Sequence, residues 1–105
     1  MKKIIFNRRI IIGGYDKDLK LQTELKPTPG YYFEHEEYQF VVHKMYPSDY
    51  CTGWRVSELT TGCALGAVYL TRKETMQSLP LVFAQHHDEI DVVIANQIKK
   101  YGKAN

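Results

Sequence analysis

The stretch from Trp54 to Glu74 does most to limit what this chain can become. Trp54 to Leu59 and Cys63 to Leu70 are β-prone runs joined only by Thr60-Thr61-Gly62. A glycine at the end of so short a link accepts the left-handed backbone of a tight hairpin without steric strain. Directly behind the second run, Thr71-Arg72-Lys73-Glu74 has the form of a capping box. There the Thr71 hydroxyl and the Glu74 carboxylate can each satisfy a free amide at a helix start. A chain that turns from a tight hairpin straight into a helix is expected to fold as α+β, with an antiparallel sheet and a helical segment packed on one face.

The rest of the 105 residues fits one such domain. Leu79, Phe83, His87, Ile90, Ile94, Ile98 and Tyr101 recur at steps of three or four and form one apolar stripe. Lys99 and Lys100 suit the negative end of the helix dipole, and Gly102 can terminate it. Pro80 interrupts this pattern, so the helical segment is expected to be kinked or split near it. Upstream, Ile4 to Ile12 reads as a strand that turns at Gly13-Gly14, with Ile4, Phe6, Ile10 and Ile12 the stronger inward set and Arg8 interrupting it. Tyr15 to Gly30 ends in Lys26-Pro27-Thr28-Pro29-Gly30 and reads as a connection, with a short edge strand at most over Leu19 to Leu25. Tyr31 to His35 and Tyr38 to Met45 form a hairpin, and Tyr46 to Thr52 is a loop. Four to five strands are therefore expected. Gly66 suggests a bulge in the last of them.

Catalytic chemistry finds little support in the residue pattern. His35, His43, His86 and His87 with Cys51 and Cys63 are ligand types that zinc uses, but no Cys-x-x-Cys pair occurs. Adjacent histidines on a helix also point about 100° apart. Cys51 or Cys63 beside His43 would need an electropositive setting to act as a nucleophile, and nothing in the sequence requires one. Asp88, Glu89 and Asp91 lack the glycine and alternating oxygen ligands of a calcium loop. Gly13-Gly14 and Gly62 to Gly66 lack the Lys-Ser/Thr of a phosphate loop. No catalytic residue, metal ligand or cofactor is assigned, and the chain is expected not to be an enzyme.

A formal net charge of +2 announces no particular partner. The opening apolar run is too short for a signal peptide and no segment is long enough to span a membrane, so a cytoplasmic location is expected. Tyr and Arg are enriched at interface hot spots, which makes Tyr31, Tyr32, Tyr46, Tyr50 and Arg55 the expected partner-binding residues. Glu34, Glu36 and Glu37, at a hairpin tip, would offer carboxylates in place of phosphate to a basic, nucleic-acid-binding partner protein. The alternative is a nucleic-acid-binding module. It would stack bases on Tyr31, Tyr32, Tyr38, Tyr46, Tyr50, Trp54 and Tyr69 and hold phosphates with Lys44, Arg55, Arg72 and Lys73. Ile4 to Ile12 carries apolar residues for two faces, so pairing with a second copy is expected to cover the face that the helix leaves open.

Gly53-Trp54-Arg55-Val56-Ser57-Glu58-Leu59-Thr60-Thr61-Gly62 and the following Thr71-Arg72-Lys73-Glu74 resemble a pattern in small phage and prophage proteins. That pattern is a Trp-x-Val strand, a Thr-Gly turn, another strand, and a Thr-x-Lys-Glu helix start. The same residues are similar to the three-stranded sheet plus helix of AP2-like and phage-integrase arm-binding domains. Those usually carry more Lys and Arg on the sheet than Lys44 and Arg55 supply. The phage resemblance implies a protein of mobile-element origin that acts stoichiometrically on a host protein, as anti-CRISPR and other anti-defence inhibitors do.

Overall fold

A computed structural model describes residues 1–45 and 52–105. In chain order its elements are β1 (Lys2–Tyr15), β2 (Leu21–His35), β3 (Tyr38–Met45), β4 (Gly53–Glu58), β5 (Ala64–Tyr69), α1 (Arg72–His86) and α2 (Ile90–Tyr101). The strands form an antiparallel meander in the order β1-β2-β3-β4-β5, and the fold is α+β. The expected loop at residues 46–51 lies outside the described residues, as do Tyr46, Tyr50 and Cys51.

One face of the sheet is the helix side. Phe40, Val42 and Val56 are buried there against Leu79, Phe83 and Ile90, with Tyr31, Phe33, Trp54, Leu65, Met76 and Ile94 around them. Phe83 is the hub: its ring meets His35 at 4.9 Å, Tyr38 at 5.5 Å and Phe40 at 6.5 Å. The Thr71 cap forms as the sequence indicates, with Thr71 Oγ1 accepting from the Glu74 amide at 3.1 Å. The helical segment is split, but the break falls at residues 87–89 rather than at Pro80. Pro80 lies on an exposed position inside α1, where its missing amide costs one hydrogen bond while Leu79 and Phe83 stay seated in the core.

The N-terminal third departs most from expectation. Gly13-Gly14 continues β1, and the chain reverses at residues 16–19, where Asp16 Oδ1 accepts from the amides of Asp18 at 2.8 Å and Lys20 at 3.1 Å. What reads as a connection from Tyr15 to Gly30 is largely strand β2, prolines included. Two contacts explain why. The Asn7 amide donates to Asn105 Oδ1 and the Arg9 amide to the Gly62 carbonyl, so both point away from β2. Their opposites, Pro27 and Leu25, must then also point their nitrogens away from β1. Pro29, two residues on and opposite Ile5, shares that orientation. The β3 ladder stops at Gly30, so both prolines face an edge that needs no donors. The result is a two-stranded arm that extends beyond β3.

The same contacts close the sheet on itself. The outer edge of β1 meets the β4–β5 turn, where Glu58 accepts from the amides of Thr60 at 2.9 Å and Thr61 at 2.8 Å. Asn105 completes the seam: its side chain donates to the carbonyls of Asn7 at 2.9 Å and Leu59 at 2.7 Å. The curl carries Phe6 over His43, ring centroids 5.4 Å apart. Phe6, Thr28, Val41, His43, Met45 and Ser57 are consequently buried on the side away from α1. The second face is therefore largely covered within one chain. Of the inward set on β1, Phe6 and also Arg8 are buried, whereas Ile12 is exposed.

Gly62 should be the position least tolerant of a side chain. Its φ is +70°, and an added Cβ would lie 2.6 Å from the Asn7 carbonyl and 2.9 Å from the Arg9 nitrogen, both backbone atoms. Gly62→Ala is expected to cost about 3 kcal/mol or more in chemical denaturation. Gly66→Ala, at a similar φ of +78° but facing only the Val82 side chain at 3.4 Å, should cost about 1–2 kcal/mol.

Candidate functional site

A cavity of about 560 Å³ lies where the arm, β3 and β4 approach the end of α2. Arg8 and Ile10 from β1, Leu21 and Thr23 from β2, His43 and Met45 from β3 and Arg55 from β4 contribute to its walls, with Cys63, Gln97 and Tyr101 completing them. Three arginines line it and no Asp or Glu does, among the described residues.

Arg9 and Arg55 donate to neutral acceptors. Arg9 donates to Thr23 Oγ1 at 3.0 Å, the Thr61 carbonyl at 3.3 Å and the Gly102 carbonyl at 3.4 Å, and lies 5.3 Å from the Tyr101 ring centroid. It thereby ties together β1, β2, the β4–β5 turn and the end of α2. Arg55 donates through Nε to the Gly66 carbonyl at 3.0 Å. Arg8, buried, donates through Nε towards Thr28 Oγ1 at 3.4 Å. Carbonyl and hydroxyl oxygens orient the Arg9 and Arg55 guanidinium groups through these bonds.

His43 Nε2 lies 2.7 Å from Ser57 Oγ, a pairing that in an open site would suggest a nucleophile and its base. Both residues are 0% exposed and Ser57 does not line the cavity, so the contact serves to satisfy two buried polar groups. Cys63, half-buried, has Sγ 3.7 Å from Gln97 Oε1. Among the described residues, no three His, Cys, Asp or Glu side chains are grouped to hold a metal ion, and no helix is long and apolar enough to cross a membrane.

The described residues among those expected at a partner surface do not form one patch. Tyr31 and Tyr32 are neighbours on β2 and so point to opposite faces. Tyr31 is half-buried on the helix side, 6.4 Å from the Trp54 ring, with the Arg72 guanidinium 4.6 Å above it. Tyr32 donates to Glu34 Oε1 at 2.6 Å, and this bond holds its phenol above the ordinary pKa. Glu36 and Glu37 are exposed at the β2–β3 turn with φ of +51° and +70°, angles that usually select Asn or Gly. Among the described residues of the expected set, Arg55 alone lines the cavity. The base-stacking platform is likewise divided, since Tyr31, Tyr38 and Trp54 pack against the core under the helices. Arg8 and Arg9 are absent from the expected set. The signal was the interruption of an apolar strand by two arginines, which strand patterning reads as a flaw in the pattern.

A second, exposed feature lies on the arm. Register places Ile5 with Pro29, Asn7 with Pro27 and Arg9 with Leu25 on one face, continuous with Tyr31. The helix α1 packs on β3, β4 and β5 and leaves this stretch open. Ile5 is 76% exposed and Leu25 39%, and Pro27 and Pro29 are exposed between them. The arm tip adds Ile12, Tyr15 and Leu19, all exposed. Comparison with family models, curated proteins and solved structures finds no match.

A hydrogen bond to β3 adds to the core packing of Ile90 and Ile94 in holding α2, whose Gln97 and Tyr101 border the cavity. The Tyr38 hydroxyl donates to the Asp91 carboxylate in the first turn of α2. That hydrogen bond is the main reason the Tyr38 phenol is pushed up to about 12, with burial adding to it. The folded-state value lies above the ordinary 10.0, so the contribution of this contact is fully present below about pH 10 and is lost as pH rises towards 12. The stability difference between the wild type and Tyr38→Phe should therefore hold constant from neutral pH to about pH 10 and shrink above it, as read from urea midpoints across pH.

Proposed function

We propose that this protein is a small, non-catalytic binding domain that acts by contact on a partner protein. The observation that carries the reading is the open shelf on the β1–β2 arm, where Ile5, Leu25, Pro27 and Pro29 place apolar surface in water. Contiguous exposed apolar area on a small domain favours a protein partner. Docking by an added strand is disfavoured here. Pro27 and Pro29 remove donors from the free edge of β2, and Gly62 and Asn105 occupy the β1 edge at Asn7 and Arg9. The partner would thus meet the face of the arm.

The resemblance to small phage proteins supports a host protein as that partner, met in the cytoplasm, and an inhibitor of the anti-defence kind is the specific form of this proposal. Glu34, Glu36 and Glu37 would add carboxylates at the far end of the same hairpin for a partner with a basic surface. The nucleic-acid alternative would have to rely on phosphate contacts by the arginines of the cavity, since Tyr31, Tyr38 and Trp54 are packed against the core.

Ile5→Lys combined with Leu25→Lys tests the reading, because both side chains are exposed and neither lines the cavity. The double variant should keep its fold and denaturation midpoint. It should lose at least about tenfold in affinity for any protein that the wild type captures from host extract. Equal capture by wild type and variant would contradict the role of the shelf. Sedimentation of the wild type at micromolar concentration separates a second copy on the shelf from a foreign partner.

A further inference from the structure

We infer that the shelf on the arm docks an acidic, amphipathic helical segment of its partner, an inference that rests on the reading of the shelf as a protein-binding face. The residues around the apolar patch decide the charge of what covers it. Lys3, exposed, stands opposite Tyr31 on the face that carries Ile5 and Pro29. The exposed Arg72 sets its guanidinium 4.6 Å from the Tyr31 ring centroid. Lys44, also exposed, shares the helix-side face with Val42 and Trp54 and lies one step beyond the Gly30–His43 pair that ends the β2–β3 ladder. Arg9, opposite Leu25, adds a cation at the other end of the patch.

Among the described residues, the carboxylates of the arm lie elsewhere. Glu24 pairs with Ile10 and so points to the opposite face, as does Glu34, which accepts from Tyr32 there. Asp16 and Asp18 belong to the turn at the arm tip. Glu74, two residues beyond Arg72, is engaged at the Thr71 cap. No ion pair among the described residues involves Lys3, Lys44 or Arg72. Apolar surface ringed by cations is matched by a partner that brings carboxylates and apolar side chains together. Nucleic acid suits the cations but not the patch: Ile5, Leu25, Pro27 and Pro29 offer no aromatic ring for base stacking, and Arg72 already lies over Tyr31. From Lys3 to Arg9 the strand rises about 20 Å at about 3.3 Å per residue, a length that a helix of about 13 residues spans. A helix laid on the face also needs none of the edge amides that the arm withholds.

The test uses the whole chain and a labelled helical peptide of about 14 residues, with leucines along one face and glutamates flanking them. The wild type should bind it, and should bind its counterpart with glutamine in place of glutamate at least about tenfold more weakly at low salt. Lys3→Glu combined with Lys44→Glu changes two exposed side chains and should keep the denaturation midpoint while weakening the glutamate peptide at least about tenfold. The inference is overturned if the wild type does not bind the glutamate peptide, or binds both peptides equally, a comparison that needs no variant. Undiminished binding by the folded charge variant overturns it too. So does tighter binding of a single-stranded or duplex oligonucleotide that the same variant abolishes. The broader reading fails separately. Host-protein capture that survives Ile5→Ser with Leu25→Ser, a change that removes apolar surface without adding charge, rules out the shelf itself. Capture lost in that variant but kept in Lys3→Glu with Lys44→Glu retains the shelf and rules out the acidic partner.

Discussion

The fold depends on one seam, where the outer edge of β1 closes on the β4–β5 turn. The Arg9 amide donates to the Gly62 carbonyl at 2.9 Å, and Asn105 uses its side-chain amide on both backbone groups of Asn7, almost as another strand would. An edge strand left open would expose unpaired amides and invite pairing with other chains. Closing it bends a five-stranded sheet until Phe6 reaches His43. A domain with helices on one side only thereby buries its second face largely within one chain. Both candidate binding features follow from that bend. The cavity lies where the arm, β3 and β4 approach the end of α2, and the shelf is the helix-side face of the arm that α1 does not reach.

The C-terminal half is readable in the sequence because its signals are local. Thr71 and Glu74 are three residues apart, the Thr60-Thr61-Gly62 turn joins adjacent strands, and Leu79, Phe83 and Ile90 recur at near-helical steps. Gly66 marks a bulge, and the β4–β5 register shifts between Trp54 and Val56. The N-terminal half is fixed by contacts distant in sequence. Pro27 and Pro29 read as strand breakers until the direction of the Asn7 and Arg9 amides is known, and that direction is set by residues 105 and 62. Gly13-Gly14 looks like a turn until Asp16, two residues on, proves the better turn former by capping two amides.

The candidate site is less legible for a related reason. Residue type identified Tyr31, Tyr32 and Arg55 as interface material, but the strand period sends Tyr31 under α1 and Tyr32 to the other face. Among the described residues of that set, only Arg55 lines the cavity, which is bordered by elements from both ends of the chain. Arg8 and Arg9 break the apolar run of β1, and that break was the trace of the cavity in the sequence.

Amide hydrogen exchange tests the closure most directly. If the seam holds, the amides of Asn7 and Arg9, on what would otherwise be a free sheet edge, exchange as slowly as those of Val41 and Val42 at the centre of β3. If those two amides exchange like an open edge while β3 remains protected, the sheet is not closed. The cavity and the covered second face would then lose their physical basis.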